Sequence, residues 1–234
     1  SDYHTHREKQ HRQKLEKKKM HLKRQEVPKT WPIERKGTTY VVRSNFNLES
    51  GIPILIVMRN MLKKAQDRRE VKRAIHLKQI LVNGKPVTDE KNAVLLFDVV
   101  SIIPSKEHYR VEISAGKKFD LREIKESESH EKVAKIIGKK MLRGKKTQIN
   151  LSDGNNVISE MECKINDSLV LNFKNKKADK CLSLKDGASV VVFEGKHMGE
   201  SGKVEKIDAE HKMAEINSDG KKVNVLIKQI IVVN

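Results

Sequence analysis

Acidic charge is in short supply in this chain of 234 residues: 31 Asp and Glu stand against 49 Lys and Arg, leaving a net charge of +18. That deficit argues against an ordinary neutral enzyme and points to a polyanionic partner, nucleic acid before anionic membrane. Cysteine is nearly absent. Cys163 and Cys181 have no CxxC neighbour, which excludes a disulfide scaffold and a paired-cysteine metal site and suits a reducing compartment. Aromatic residues make up only 4% of the chain. Single-strand binders stack bases on aromatic platforms, so their scarcity favours recognition of shape and phosphate in folded RNA. Long apolar runs are missing too. The longest, Ile52 to Met58, contains Pro53, whereas a membrane span needs about 20 apolar residues. The N-terminal residues lack the apolar centre of a secretory signal. These absences predict a cytoplasmic protein with no membrane partner.

The basic excess declines along the chain. Residues 1–36 hold 12 basic and 5 acidic groups, 51–104 hold 10 and 5, 105–175 hold 15 and 11, and 176–234 hold 11 and 9. Composition shifts divide the chain into a basic arm over 1–36, a first domain over 37–104, a central β domain over 105–175 and a C-terminal barrel over 176–234. Residues 1–25 carry nine Lys and Arg and four His but few sizeable apolar residues. Such a segment buries too little apolar surface to offset its ordering entropy, and it is predicted to fold only against a partner. His4, His6 and His11 have no acidic or cysteine partner at ligand spacing, so no metal is expected.

Residues 50–104 carry the best-formed pattern. Ile54, Leu55, Met58, Met61, Leu62 and Ala65 recur at helical spacing behind Ser50, a candidate cap, and Arg59, Lys63 and Lys64 fall on the opposite face. Asp67 is placed to cap a second helix through Val71, Ala74 and Ile75, which exposes Arg69, Lys72 and Arg73. The period then changes to that of strands. Ile80 to Val82, the turn pair Asn83-Gly84 and Lys85 to Val87 read as a hairpin with a type I′ turn. Val94 to Phe97 and Val99 to Ile103 read as further strand, with Asp98 as a turn residue between them. From Arg59 to Lys78 eight basic residues face two acidic ones. A run of one sign outside the apolar stripe is a phosphate-contacting surface, because phosphates accept Lys and Arg without any base sequence. It comprises Arg59, Lys63, Lys64, Arg68, Arg69, Lys72, Arg73 and Lys78, with Lys85 on the hairpin and Lys23 and Arg24 on the arm.

In the middle of the chain Val111, Ile113, Ile136, Ile149, Leu151, Val157, Ile158, Leu169 and Leu171 are the candidate core of a small β domain. Residues 132–152 hold seven basic groups and no acid. The stretch from Gly138 to Lys146 fails as a phosphate-binding Walker loop, since five residues separate its glycines and Lys146 stands where Ser or Thr is needed. It reads instead as a basic loop touching RNA backbone through Lys139, Lys140, Arg143, Lys145 and Lys146. Further on, "SVVVFEGKHMGESGKVEKI" places Gly195, Gly199 and Gly202 between apparent strands, where glycine permits tight turns and close approach of RNA or protein backbone. Strands at Met213 to Ile216 and Val223 to Val233 complete a five-stranded barrel, with Lys196 and His197 as its candidate RNA contacts. No GxSxG elbow or HExxH helix occurs. Neither catalysis, a cofactor nor a small-molecule substrate is expected.

Two short helices, a basic face, then "ILVNGKPVTD" and "FDVVSI" resemble the S-four-type (alpha-L) RNA-binding domain. The glycine-spaced C-terminal segment resembles the KOW motif of SH3-like barrels. The order of the pieces, with His21-Leu22-Lys23-Arg24 followed by Pro28-Lys29 and Trp31, and with "GKKTQINLSDGNNV" in the middle, resembles the archaeal and eukaryotic small-subunit ribosomal proteins of the S-four-e type over residues 20–234. The resemblance implies an α+β protein: a basic arm, an alpha-L domain, a central β domain and a KOW barrel. It implies a structural constituent of the small subunit whose partners are rRNA and neighbouring ribosomal proteins. The absence of a long C-terminal extension implies an archaeal rather than a eukaryotic form. Residues 1–19 precede the family's N-terminal signature and depart from its pattern. Two other readings are weighed: an RNA-modifying enzyme with an accessory alpha-L domain, for which no nucleophile–base pair is present, and a free-standing RNA-binding transcription or translation quality-control factor.

Overall fold

The computed structural model describes residues 21–144, 146–159, 161–175, 177–208, 210–218 and 220–233. The segment up to residue 20, with His4, His6 and His11, lies outside the described residues, as does Lys145. The architecture is predominantly β with two helices, and every strand pairing is antiparallel among the described residues.

Residues 1–25 of the basic arm are expected to fold only against a partner; from residue 22 onward the arm packs instead on the protein's own core. β1 (Leu22–Lys23) pairs with β2 (Tyr40–Val41). Leu22 and Trp31 are buried in the first hydrophobic core, with Val27 and Ile33 packed against it. One large aromatic ring and a few aliphatic side chains bury enough apolar surface to outweigh the ordering cost that the surrounding charge would otherwise leave unopposed.

β3 (Gly51–Pro53) follows, so the first helix begins at Ile54 and Ser50 does not cap it. Pro53 disfavours helical geometry at the residue before it and takes the N-cap position in an extended conformation. Helix α1 runs as Ile54–Ile56 and passes into a π-helical stretch, Val57–Met61. Ile54 to Met58 are all buried, so most of α1 is enclosed rather than amphipathic. Helix α2 (Arg68–His76) buries Val71 and Ile75, with Asp67 at its N-cap as expected; the Asp67 side chain makes no cap hydrogen bond. Instead the Gln66 N–H donates to the Glu70 carboxylate at 2.7 Å.

β4 (Ile80–Val82) and β5 (Lys85–Pro86) form the expected hairpin, with Asn83 and Gly84 both at positive φ, 52° and 73°, as a type I′ turn requires. β6 (Ala93–Leu95) pairs with β3. β7 (Val99–Ile102), β8 (Glu107–Ile113) and β9 (Phe119–Ile124) complete a sheet of order β5-β4-β7-β8-β9. The division expected after residue 104 therefore passes between β7 and β8, which are hydrogen-bonded neighbours. Val111 and Phe119 belong to the first core.

A second sheet contains β10 (Glu131–Met141), β11 (Thr147–Leu151), β12 (Asn156–Ile158), β13 (Ser168–Asn172) and β14 (Lys177–Leu182), in the order β12-β11-β10-β13-β14. Its core includes Ile136, Ile149, Leu151, Cys163 and Leu169. Ile158, expected in this core, is 60% exposed. It pairs with Gln148, while its neighbour Val157 pairs with buried Ile149, so the two-residue period turns Ile158 outward. The division expected after 175 falls inside the β13–β14 hairpin.

The third sheet contains β15 (Ser189–Val192), β16 (Ser201–Asp208), β17 (Met213–Ser218), β18 (Lys221–Leu226) and β19 (Ile230–Val232), in the order β18-β17-β16-β15-β19. Its core is largely valine and isoleucine. The Val232 N–H donates to Ser168 Oγ at 2.9 Å in a buried position, which joins the third sheet to the second.

Candidate nucleic-acid interface

Helix α2 presents the clearest cationic face. Val71 and Ile75 turn inward, so Arg69, Lys72 and Arg73, at three- and four-residue spacing, share the outward side. All three are exposed. Arg69 and Arg73 make no ion pair among the described residues. Lys72 Nζ lies 3.9 Å from the Glu90 carboxylate. Lys63 and Lys78 are exposed just beyond the two helix ends, both at positive φ of 54°. Lys85 is exposed on β5 and Lys23 on β1.

Other predicted contacts are engaged within the protein. Arg68 ion-pairs with Glu90, which is almost fully buried. Arg24 is half-buried and spends its guanidinium on its own chain: Nε donates to the Thr38 carbonyl at 2.7 Å, Nη1 to the Glu34 carbonyl at 2.6 Å and Nη2 to Thr38 Oγ1 at 3.0 Å. Lys64 pairs with Glu107 at 2.8 Å, and Arg59 Nε donates to Asn60 Oδ1 at 3.1 Å. The predicted set thus contains free cations and braces, which a charge count cannot separate.

The basic stretch over 132–152 divides in the same way. Gly138 to Met141 is strand, not loop, and ends a long hairpin with β11. Lys139, Lys140, Arg143 and Lys146 are exposed at its tip, beside Met141 at 75% exposure. Lys132 and Lys135 are buried. Lys132 Nζ lies 2.5 Å from Asp98 Oδ1 and 2.8 Å from Asp153 Oδ2. Burial works against its ammonium, but the two carboxylates outweigh that and hold the Lys132 pKa above its ordinary value. Asp153 is lowered in turn: burial opposes its charge and Lys132 wins. Asp98 also accepts from the Asn83 side-chain amide at 2.8 Å and the Leu95 N–H at 2.7 Å. It is therefore the hub that fastens the Asn83-Gly84 turn and the first sheet to the second, and more than a turn residue. Lys135 Nζ donates to the carbonyls of Ile227 and Ile230 and lies over the Phe193 ring. Burial without a carboxylate partner lowers its pKa to about 8.

Sequence reasoning missed these two lysines, although for Lys132 a signal was present; Lys135 falls off that row and had none. Lys132, Ala134 and Ile136 alternate along one strand and are all buried, and that two-residue period marks a core-facing row.

On the third sheet Lys196 is exposed, and its carbonyl accepts from Lys117 Nζ at 2.7 Å. His197 Nδ1 faces Glu200 at 3.1 Å. The glycines nearby are filled by the protein's own chain. A Cβ on Gly199 would meet the Ser114 carbonyl oxygen at 2.3 Å, and one on Gly202 the Asn217 carbonyl at 2.1 Å. Close approach is thus to the β8–β9 turn and to β17. Cys181 packs against the second core, which includes Cys163, and burial pushes its thiol up to about 12, which leaves it protonated and a poor nucleophile at neutral pH.

Comparison with known proteins places this geometry. A model of "Ribosomal family S4e" matches residues 105–178, and one of the "RS4NT (NUC023) domain" matches residues 18–45. The chain is 38% identical over 190 residues to "Small ribosomal subunit protein eS4" of Methanocella arvoryzae, covering 80% of each chain. The chain belongs to the S4e family of ribosomal proteins. The same-named protein of Haloarcula marismortui is 34% identical over 84% of this chain and 86% of the relative, and that of Natronomonas pharaonis is 30% identical over 92% and 94%. These relatives are archaeal, as the expected archaeal form requires. The fold is similar to that of the 30S ribosomal protein S4e from Thermoplasma acidophilum, with a TM-score of 0.69 and 22% identity over 79% of this chain and 95% of that one. The S4e model spans β8 to β13 and the start of β14, across the two sheets that Lys132 joins.

Proposed function

We infer that this S4e protein is a structural constituent of the small ribosomal subunit and binds rRNA through phosphate contacts in the cytoplasm. The carrying observation is the sequence identity to small-subunit proteins over four-fifths of the chain. The exposed Arg69–Lys72–Arg73 face and the Lys139–Lys146 hairpin tip agree with it, as does the net charge of +18. Phosphate contacts position without reading sequence, which suits a component held in one place on folded RNA. Arg69, Lys72, Arg73, Lys63, Lys78 and Lys85 form one contact surface. Lys139, Lys140, Arg143 and Lys146 form a second, and Lys196 a lesser third. Neighbouring ribosomal proteins are the further partners.

In this reading α1, α2, β4, β5 and β7 are an alpha-L RNA-binding domain extended by β8 and β9. β10 to β14 are the central domain, and β15 to β19 an SH3-like KOW barrel. S4e is not an enzyme family, and no helix of the described residues is long and apolar enough to cross a membrane. The free-standing factor is disfavoured by the same identity. The test is a sucrose gradient of cell lysate at low and moderate salt. Co-migration with small subunits at both salts, near one copy per subunit, is expected. Protein confined to the top of the gradient would overturn the assignment.

A further inference from the structure

Between the N-terminal segment and the β8–β9 turn lies an open cleft of about 710 Å³. Residues 24–35 form one wall and Gly116 to Lys118 the other. Five lining residues are cationic: Arg24, Lys29, Arg35, Lys117 and Lys118. The lone acid among them, Glu34, offers its main-chain carbonyl to Arg24.

The walls are held in place before any ligand arrives. The Phe119 N–H donates to the Thr30 carbonyl at 2.8 Å, which ties together the two chain segments that form the walls. The Trp31 indole donates to the Leu48 carbonyl at 3.2 Å. Arg24 is braced by Thr38 and Glu34, and Lys117 by the Lys196 carbonyl. Cations gathered in a concave site repel one another, focus a positive potential into it and are relieved by an incoming anion. Fixed walls reduce the ordering cost of that binding. Trp31 is only 2% exposed, so the cleft has no aromatic face for base stacking, and recognition falls to charge. The volume is that of a ligand pocket. It admits a strand segment or a bulge rather than a helix laid along a surface.

We propose that this cleft is a separate RNA-phosphate site, gripping the backbone of a strand or bulge of folded rRNA through Lys29, Arg35 and Lys118. The proposal rests on the rRNA-binding reading above. It adds a site independent of the α2 face and the hairpin tip.

The test uses the full chain and transcribed small-subunit rRNA, with binding followed by filter retention across a salt series. Three variants are compared: Lys29→Ala with Arg35→Ala on one wall, Lys118→Ala on the other, and Arg69→Ala with Arg73→Ala on α2. Removing one phosphate-binding cation flattens the plot of log affinity against log salt by about 1. The wall double variant is expected to flatten it by about 2 and Lys118→Ala by about 1, with affinity at least about fivefold weaker in each. Trp31, the only tryptophan, reports through its emission that the segment stays folded. Lys118→Ala keeps the test decisive if the N-terminal wall unfolds. Absence of rRNA binding by the unaltered chain would sink the rRNA reading and the cleft with it. Binding that the α2 variant weakens, while both cleft variants match the unaltered chain in affinity and slope, would overturn the cleft alone and turn attention to an acidic protein partner.

Discussion

Residues 22–36 and the hairpin tip at 139–146 are both rich in Lys and Arg, yet one is packed and the other projects. The N-terminal segment places Leu22 and Trp31 in the first core, and its Arg24 satisfies its own backbone. The tip keeps Lys139, Lys140, Arg143 and Lys146 in solvent, and of its two large apolar side chains Met141 stays exposed and Leu142 is half-buried, neither in a core. Charge density does not distinguish them. What does is whether an apolar side chain in the segment finds a core to enter. A basic segment anchored by one tryptophan becomes a wall. A basic segment without an anchor remains a probe.

The comparison breaks first at the anchor. Trp31→Ala is expected to cost about 3–5 kcal/mol, the range for emptying a large aromatic site, whereas Lys139→Ala with Lys140→Ala should change stability by no more than about 0.5 kcal/mol per site. Denaturant unfolding of the two variants reads both, and equal losses would erase the distinction.

The next largest effect belongs to Lys132. Lys132→Met leaves Asp98 and Asp153 buried without their cation and is expected to cost about 3 kcal/mol, at the lower end for breaking a buried pair, because Met restores packing. The pH dependence follows from the shifts. The raised Lys132 pKa contributes stability that is complete below its ordinary 10.5 and is lost as pH rises through the higher folded value. The lowered Asp153 pKa contributes stability that is present above its ordinary 3.8 and is lost as pH falls through the lower folded value. A variant as stable as the unaltered protein across both windows would show the triad to be inert.

A smaller effect sharpens the split between braces and free cations. Arg68→Ala is expected to cost about 1–2 kcal/mol, because Glu90 is left buried while the guanidinium itself is half exposed and screened. Arg69→Ala should leave the melting temperature alone and weaken rRNA binding. The reverse pattern would exchange their roles.

The last comparison concerns Lys135, three residues along β10 from Lys132 and equally hidden. Its pKa is lowered to about 8. Between pH 8 and 10.5 the unfolded chain binds the extra proton, so stability rises with pH across that window. Lys135→Met should remove the rise. Two lysines on one strand thus have opposite pH dependences, because one faces carboxylates and the other carbonyls.

Much of this was legible beforehand. Asn83-Gly84 specifies a type I′ turn through the positive φ that both residues tolerate, and the observed hairpin closes there. Val71 and Ile75 announce the buried side of α2, and with it the outward Arg69, Lys72 and Arg73. Less legible was the start of α1, where Pro53 imposed a strand that the helical spacing of the apolar residues concealed. The continuation of the first sheet into β8 and β9 was hidden because a composition shift near residue 104 does not coincide with a break in hydrogen bonding.

By itself the sequence determined the local elements, the outward cationic face of α2 and the family, because periodicity, turn chemistry and residue order are properties of neighbouring residues. Only the tertiary structure decided which charges are free. Lys132 meets Asp98 and Asp153, Arg68 meets Glu90, and the N-terminal wall meets the β8–β9 turn across distances in sequence that no local pattern encodes. Burial converts a cation from a ligand for RNA into a brace. Burial depends on what the rest of the chain brings to that point in space.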